Sequence, residues 1–177
     1  MTKKVDVGFQ LLHPEAKLPV KAHETDACYD VVAVSMEYLD DPSIIGCRIK
    51  YRLGFALDVP SGYEVQVRAR SSVSKQGLLL ANGIGTGDEA HITEYSAVFY
   101  HILHHLQPYE VGDRVAQIIC TPRVNNEFYE VDYIEPKERG YSEGYGSSGL
   151  KEIKQKGKYN IHIGDTYHRQ ARNVTYD

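Results

Sequence analysis

The sequence lacks the features that mark several classes of protein. It has no tryptophan, and its three cysteines, Cys28, Cys47 and Cys120, form no C-x-x-C pair. An odd number of widely spaced cysteines argues against both a disulfide framework and a zinc knuckle. No stretch approaches the roughly 18 apolar residues of a membrane span, and no long apolar run follows the first lysines as it would in a secretory signal. We therefore expect a reducing, cytoplasmic or nuclear setting, without secretion and without a membrane partner.

An excess of positive charge is missing as well. The chain has 20 Lys and Arg against 24 Asp and Glu, which gives a formal net charge of -4. Because a nucleic-acid backbone is bound through clustered cations, we expect no nucleic-acid partner. With 177 residues, of which 42% are hydrophobic and 25% charged, the chain has the length and composition of one globular domain.

Short runs of alternating apolar and polar residues dominate the first three quarters of the sequence. Turn signals such as Pro60-Ser61-Gly62 and Gly112-Asp113 separate them. Several strands at such spacing predict an all-β sandwich or barrel, with one short helix around residues 73–80. The alternating runs cover residues 5–11, 29–34, 52–59, 63–68, 95–103, 114–120 and 128–134.

The pattern changes after residue 136. Residues 139–149 include four glycines and three serines, a composition that buries little surface and is costly to order. We therefore expect a mobile Gly-rich arm over residues 137–149. Residues 150–177 carry six Lys or Arg against three acids and form a basic C-terminal extension. The expected division is a β-barrel domain over residues 1–136, followed by the arm and the extension.

Five polar segments stand out where the predicted strands and turns meet. Each alone has an ordinary structural explanation: Asp30 suits a strand edge, Arg70-Ser71-Ser72 a helix start, and residues 82–91 a hairpin punctuated by glycine. Such short motifs are unspecific one by one, so their order along the chain matters most. The segments are Ala27-Cys28-Tyr29-Asp30-Val31, Arg68-Ala69-Arg70-Ser71-Ser72, residues 82–91, Gly112-Asp113-Arg114-Val115-Ala116-Gln117-Ile118-Ile119, and Arg139-Gly140 with Tyr145-Gly146-Ser147-Ser148-Gly149.

In order and residue type these segments resemble the five motifs of the trimeric dUTPase family, including its phage-type and viral members. The fourth segment is the most specific match. The resemblance implies a dUTPase-like distorted β-barrel, or jelly roll, whose Gly-rich arm closes a catalytic site. It implies hydrolysis of dUTP to dUMP and pyrophosphate by a homotrimer with active sites at subunit interfaces. It also implies Mg²⁺, bound mainly through the substrate triphosphate.

The resemblance assigns roles to the residues at matching positions. We expect Asp88 to be the catalytic base that orients the attacking water, and Asp30 to reach the metal indirectly, through water. Backbone groups around Asn82 would read the uracil, and Tyr145 of the arm would stack on it. The expected substrate-binding residues are Arg70, Ser71, Ser72, Asn82, Gly85, Thr86, His91, Gln117, Arg139, Tyr145, Gly146, Ser147 and Ser148.

Four positions depart from the family pattern. Cys28 stands in place of Gly, Gly87 in place of Ile, and Tyr145 in place of Phe. His91 occupies the position of the Tyr that packs under the deoxyribose and excludes a ribose hydroxyl. Because imidazole is smaller than phenol, we expect this chain to exclude ribonucleotides less strictly.

Two other functions stay open at this point. The chain could be a nucleotide-binding regulatory protein of dUTPase fold, with weak turnover and a regulatory protein partner. A dCTP deaminase-like enzyme is less favoured, although that family shares the fold and an Arg-Ser-Ser signature. Lys75 and Val98 stand where it has an Arg and its catalytic Glu, and a valine cannot transfer protons.

Three histidines cluster in the segment His101-Ile102-Leu103-His104-His105. Strand periodicity places His101 and His105 on one face, with no cysteine or acid close in sequence. We therefore interpret the segment as a loop histidine cluster rather than a metal site.

Overall fold

The computed structural model describes residues 4–134, which form ten β-strands and one short 3₁₀ helix. All of the strand pairs are antiparallel, and the predicted all-β fold class is confirmed. The strands are β1 (Gly8–Leu11), β2 (Tyr29–Val32), β3 (Ser35–Tyr38), β4 (Cys47–Arg52), β5 (Phe55–Asp58), β6 (Tyr63–Ala69), β7 (Leu78–Leu80), β8 (Ile84–Gly87), β9 (Ser96–His101) and β10 (Arg114–Pro122), and the helix spans Ser71–Gln76.

The strands are arranged in three sheets. A two-stranded sheet pairs β1 with β5, a second sheet has the order β2-β10-β6-β8, and a third has the order β3-β4-β9-β7. Neighbours such as β2 and β10, or β4 and β9, are far apart in sequence. The fold therefore brings together side chains that no local motif connects.

Alternation along β4 and β9 directs large side chains into the core. Cys47, Ile49 and Tyr51 of β4 are buried, whereas the residues between them are more exposed. The ring of Phe99 on β9 meets Tyr51 edge-on, with centroids 5.8 Å apart. The Tyr51 hydroxyl donates to the Tyr109 carbonyl at 2.9 Å, and burial raises the pKa of Tyr51. This aromatic group belongs to one continuous core that includes aliphatic side chains of all three sheets.

Two of the predicted strands are wrong in detail. The run over residues 52–59 contains only the last residue of β4 and then β5, because Gly54 has φ of +72° and turns the chain between the two strands. Residues 128–134 form no strand. Phe128 is 92% and Tyr129 83% exposed.

The predicted helix and hairpin also differ from the structure. The helix starts earlier, at Ser71, and ends before Gly77, whose φ of +62° stops it; the residues that follow form β7. Residues 82–91 are not a hairpin, because β7 and β8 belong to different sheets. Gly83, with φ of +67°, reverses the chain between them.

The chain divides into two units, Met1–Glu127 and Phe128–Asp177. The first unit contains every strand given above. The predicted boundary at residue 136, the arm over residues 137–149 and the extension over residues 150–177 lie outside the described residues and stay predictions. No helix among residues 4–134 has the length and apolar character that crossing a bilayer requires.

Candidate active site

The central strand β10 lies between β2 and β6 and so brings three of the five polar segments together. Asp30 on β2 is opposite Gln117 on β10. Ala69, at the end of β6, is opposite Ala116. Because Arg70 follows β6 directly, its side chain reaches the same corner as Asp30 and Gln117.

Arg70 holds this corner together through four hydrogen bonds. Its Nε and Nη2 donate to the two carboxylate oxygens of Asp30 at 3.0 and 3.2 Å. Its Nη1 donates to the Arg114 carbonyl at 2.8 Å and to Ser72 Oγ at 3.3 Å. Arg114 Nη1 adds a further bond to Asp30 at 3.0 Å, and Ser72 Oγ lies 3.0 Å from the Tyr109 hydroxyl. Charge-assisted bonds of this kind fix both orientation and position.

A cleft of about 350 Å³ opens beside this network, and Asp30, Arg70, Ser71 and Gln117 all line it. Ser71 is exposed, and nothing within residues 4–134 hydrogen-bonds its hydroxyl. Gln117 Nε2 donates to the Ala69 carbonyl at 2.9 Å, which uses one of its two N–H donors. The cleft therefore presents a hydroxyl and an amide donor beside a fixed guanidinium, which is a donor set suited to phosphate oxygens.

Asp88 and His91 occupy a different place, just after β8. A Cβ at Gly87 would lie 2.2 Å from the Tyr95 hydroxyl, so only glycine allows this strand to end so close to that ring. His91 meets the Tyr95 ring edge-on, with centroids 4.8 Å apart. Burial and the nearby Cys120 and Asp88 raise the pKa of Tyr95 to about 12. Asp88 itself is exposed and is available to a ligand.

The distance between these two groups follows from strand geometry. Gly87 is opposite Val65 near the start of β6, whereas Arg70 follows the end of β6. Five residues of strand at roughly 3.3 Å each separate the two positions by about 17 Å. Within one chain, therefore, Asp88 and the Arg70 cleft lie at opposite ends of the same strand.

The segment expected to read uracil lies along β8, which is at an edge of its sheet in the described structure. Asn82 and Thr86 are exposed and Gly85 is buried. A Cβ at Gly85 would lie 3.0 Å from Asn82 Nδ2 and 3.2 Å from Val67, which is tight packing. The outer edge of β8 leaves backbone donors and acceptors unpaired within residues 4–134, as an edge strand does.

The cleft does not form a cage for Mg²⁺ among the described residues. Both oxygens of Asp30 accept guanidinium bonds, and Asp26, the other acid that lines the cleft, accepts from the His23 amide at 2.9 Å. Mg²⁺ prefers several free oxygen ligands and retains water. These carboxylates are engaged in hydrogen bonds, which is consistent with a Mg²⁺ ion that the substrate phosphates bind. A water-mediated contact of Asp30 with the ion stays a prediction.

Two residues of the site carry no signal of their role in the sequence, and five predicted site residues lie outside the described part of the chain. No role is predicted for Arg114 or Tyr109, because their contacts with Asp30 and Ser72 depend on strand pairing over long sequence separations. Arg139, Tyr145, Gly146, Ser147 and Ser148 lie beyond residue 134, so their expected contacts with substrate stay predictions.

Comparison with known proteins decides the family. The dUTPase family model matches residues 14–149. The chain belongs to the dUTPase family. Deoxyuridine 5'-triphosphate nucleotidohydrolase of Helicobacter pylori strain J99 is 30% identical over 145 residues, which are 81% of this chain and 97% of that protein. The enzyme of the same name from Zymomonas mobilis is 31% identical over 150 residues, or 83% and 99%.

Solved dUTPases share the fold. The dUTPase of Staphylococcus bacteriophage 80alpha superposes with a TM-score of 0.67 at 24% identity, covering 83% of this chain and all of the phage protein. The dUTPase of phage phi11 gives 0.59 at 20% identity, covering 73% and 98%. The described sheets of this chain are thus those of a dUTPase barrel, and the predicted architecture is confirmed.

Proposed function

We propose that this chain is a dUTP diphosphatase that hydrolyses dUTP to dUMP and pyrophosphate at sites shared between the subunits of a homotrimer. The activity would limit uracil in DNA and supply dUMP for dTMP synthesis, in the cytoplasm or the nucleus. The observation that carries the proposal is the separation of about 17 Å along β6 between two polar groups, each incomplete alone. The relatives' names refer to deoxyuridine triphosphate, and the phage 80alpha structure contains dUpNHpp.

The cleft at Arg70 would hold the phosphates. A nucleoside triphosphate carries about four negative charges and requires several donors. Within residues 4–134, the Ser71 hydroxyl makes no hydrogen bond, and the Gln117 side-chain amide keeps one N–H that makes none. Arg70 uses four of its five N–H donors on Asp30, Ser72 and the Arg114 carbonyl. It therefore chiefly positions the helix that begins at Ser71 and adds positive charge beside the phosphates.

The segment after β8 would hold the nucleoside and the attacking water. Asp88 is exposed and directly follows β8, whose last residue packs against Tyr95, so its carboxylate can orient a water against the α-phosphorus and accept its proton. His91, held edge-on against Tyr95, would lie under the deoxyribose. The free edge of β8 would read uracil through backbone groups, and the amino group of cytosine would leave a donor facing a donor.

The arm and the ion complete the proposed site. Tyr145 would stack on uracil, while Arg139, Gly146, Ser147 and Ser148 would close over the terminal phosphates and exclude water. When bound, Mg²⁺ would neutralise phosphate charge and polarise the bond that breaks.

Steady-state release of pyrophosphate tests the activity. The wild-type chain with Mg²⁺ should turn over dUTP far faster than dCTP or UTP. Asp88→Asn should lose about 100-fold or more, as expected for a positioned base. Release of ammonia from dCTP without pyrophosphate would instead support a deaminase-like enzyme, and an unchanged rate in Asp88→Asn would remove that carboxylate from the mechanism.

Mixed trimers test the shared site. Ser71→Ala and Asp88→Asn each inactivate one half of the proposed site and alter exposed side chains. Co-expression at equal levels should restore about one quarter of wild-type turnover, because a quarter of randomly formed interfaces pair an intact Ser71 with an intact Asp88. Mixing the chains after separate folding is the control for exchange. Failure of co-expressed chains to complement would show that each site lies within a single chain.

A regulatory protein partner is the second candidate function. Phage dUTPases, including that of Staphylococcus bacteriophage 80alpha, control transfer of virulence genes, and the fold of this chain matches that protein. Binding of dUTP by the wild-type chain with only weak release of pyrophosphate would favour this role over catalysis.

A further inference from the structure

A second cluster of reactive side chains lies in the third sheet, away from the second sheet that carries the cleft. Cys47 begins β4 and His101 ends β9, and the pairing of these strands sets the two residues opposite each other. The loop after β9 then folds back, so that the His104 ring stacks on the His101 ring with centroids 4.5 Å apart. One ligating atom from each of the three side chains lies within 4.8 Å of the others.

These distances are close to those of a metal centre. Zinc binds Cys sulfur at about 2.3 Å and His nitrogen at about 2.0–2.1 Å in a tetrahedron, which places ligand atoms roughly 3.3–3.7 Å apart. Cys47 Sγ is already 4.0 Å from His104 Nε2. Contraction by about 1 Å, within the reach of side-chain rotation, would bring all three onto one ion.

The hydrogen bond of His101 prepares it as a ligand. His101 Nε2 lies 3.0 Å from the Leu106 carbonyl. A carbonyl only accepts, so this nitrogen carries the proton and the Nδ1 lone pair is free. Ligating histidines characteristically donate their other N–H to a carbonyl or carboxylate in this way.

His104 can exchange its present bond for a metal bond without leaving a carbonyl unpaired. Its Nε2 donates to the His101 carbonyl at 2.9 Å, so binding of a metal at this nitrogen requires the other tautomer, with the proton on Nδ1. That carbonyl also accepts from the Gly46 amide at 2.8 Å. His104 is only half-buried, so an ion can reach the cluster from its side.

A catalytic thiol is a poorer account of the same cluster. Cys47 is only 1% exposed, whereas a nucleophilic thiol must be accessible to its substrate. The carboxylates of Asp40 and Asp41 lie close enough to make the surroundings of the cluster negative, and this favours a bound cation.

We propose that Cys47, His101 and His104 bind one Zn²⁺ ion per chain, with water in the fourth position. A thiolate and two imidazoles suit zinc and not Mg²⁺, so this site is independent of the ion that accompanies the substrate. The ion fixes the loop after β9, whose Ile102 and Leu103 amides donate to the Gly77 carbonyl at 2.8 and 3.2 Å. Gly77 ends the helix that begins at Ser71, so the ion also supports the phosphate cleft.

Titration of the reduced, chelator-treated full chain with Co²⁺, in the presence of Mg²⁺, tests the site. One equivalent per chain should give a thiolate-to-cobalt charge-transfer band and tetrahedral d–d bands, and Zn²⁺ should displace both. Cys47→Ser should abolish the charge-transfer band. His104→Asn should weaken affinity by more than the roughly 10–100-fold that follows loss of an outer hydrogen-bond partner.

Cys120→Ser and His105→Asn are the matched controls, because they remove the same residue types outside the cluster and should bind normally. The half-buried position of His104 keeps its variant folded, so the test does not depend on replacing a core residue. Absence of the charge-transfer band in the wild-type chain, or equal affinity in Cys47→Ser, His104→Asn and the controls, would overturn the proposal.

Discussion

Replacement of Arg70 by Met gives the most direct test of the network that builds the phosphate cleft. Methionine keeps most of the side-chain stem but removes the guanidinium, and with it two bonds to Asp30, one to Ser72 and one to the Arg114 carbonyl. The side chains of Arg70 and Asp30 are 21% and 13% exposed, so the pair is neither fully buried nor on the open surface.

The expected loss of stability follows from that intermediate burial. Exposed ion pairs contribute about 0–1 kcal/mol, and breaking a fully buried pair costs about 3–5 kcal/mol. Asp30 keeps its bond to Arg114 after the substitution, which reduces the cost. We therefore expect Arg70→Met to lower the free energy of unfolding by about 2 kcal/mol. We also expect it to lower turnover, because the helix that presents Ser71 loses its hydrogen bond to Arg70.

The assay is a double-mutant cycle in urea at one protein concentration, because assembly makes stability depend on concentration. Arg70→Met, Asp30→Asn and the double variant should show a coupling energy of about 1–2 kcal/mol. Arg48→Met is the matched control: Arg48 makes a similar two-pronged contact with Asp40, but on the exposed surface, so its loss should change stability little.

Two results would refute the reasoning. A coupling energy near zero would mean that Arg70 and Asp30 contribute independently, and the network would not be a unit. Equal destabilisation by Arg70→Met and Arg48→Met would mean that burial does not strengthen the Arg70 contact.

Three further predictions concern the β8 end of the site. Gly87→Ala should destabilise the chain by about 1–3 kcal/mol, as overpacking does, measured by urea unfolding; a neutral effect would contradict the contact with Tyr95. Tyr95→Phe should be neutral or stabilising by up to about 1 kcal/mol, since the buried hydroxyl has no hydrogen-bond partner within residues 4–134; it should also lessen the cost of Gly87→Ala. His91→Tyr should lower UTP turnover relative to dUTP, and equally low UTP turnover in the wild type would remove His91 from sugar selection.

Strand alternation predicted much of the fold, and its failures have local physical causes. The runs around β6 and β9 alternate because one face of each strand is buried. The alternation is looser in β2, β1 has no buried residue, and β10 has two adjacent buried residues, Val115 and Ala116. The sequence of β8, Ile-Gly-Thr-Gly, has too few side chains to show alternation between apolar and polar residues, so it predicts a glycine-rich hairpin instead of a strand. β7 is three leucines without alternation. The run over residues 128–134 alternates, yet within the described residues no partner strand covers its apolar side.

Site residues within a short sequence motif could be predicted from the sequence. Contacts between residues on strands that are far apart in sequence could not. Ser71 and Gln117 were identified from motif order. The contact of Arg114 with Asp30 spans 84 positions, and the approach of Cys47 to His104 spans 57. Long-range strand pairing leaves no repeating pattern in a single sequence. Only the register of β4 and β9 shows that Cys47 lies opposite His101.

The rigidity of β6 has a consequence for how the proposed enzyme can be regulated. β6 is hydrogen-bonded on both sides, to β10 and β8, so no hinge within it can shorten the roughly 17 Å between its ends. On the proposed shared site, Asp88 of one subunit therefore meets the Ser71 cleft only through assembly, and not through a conformational change of a lone chain. Turnover per chain should consequently fall on dilution in parallel with trimer dissociation, measured by light scattering. Constant turnover in chains that sedimentation shows to be monomeric would mean that the arm, rather than a neighbouring subunit, supplies what the cleft lacks.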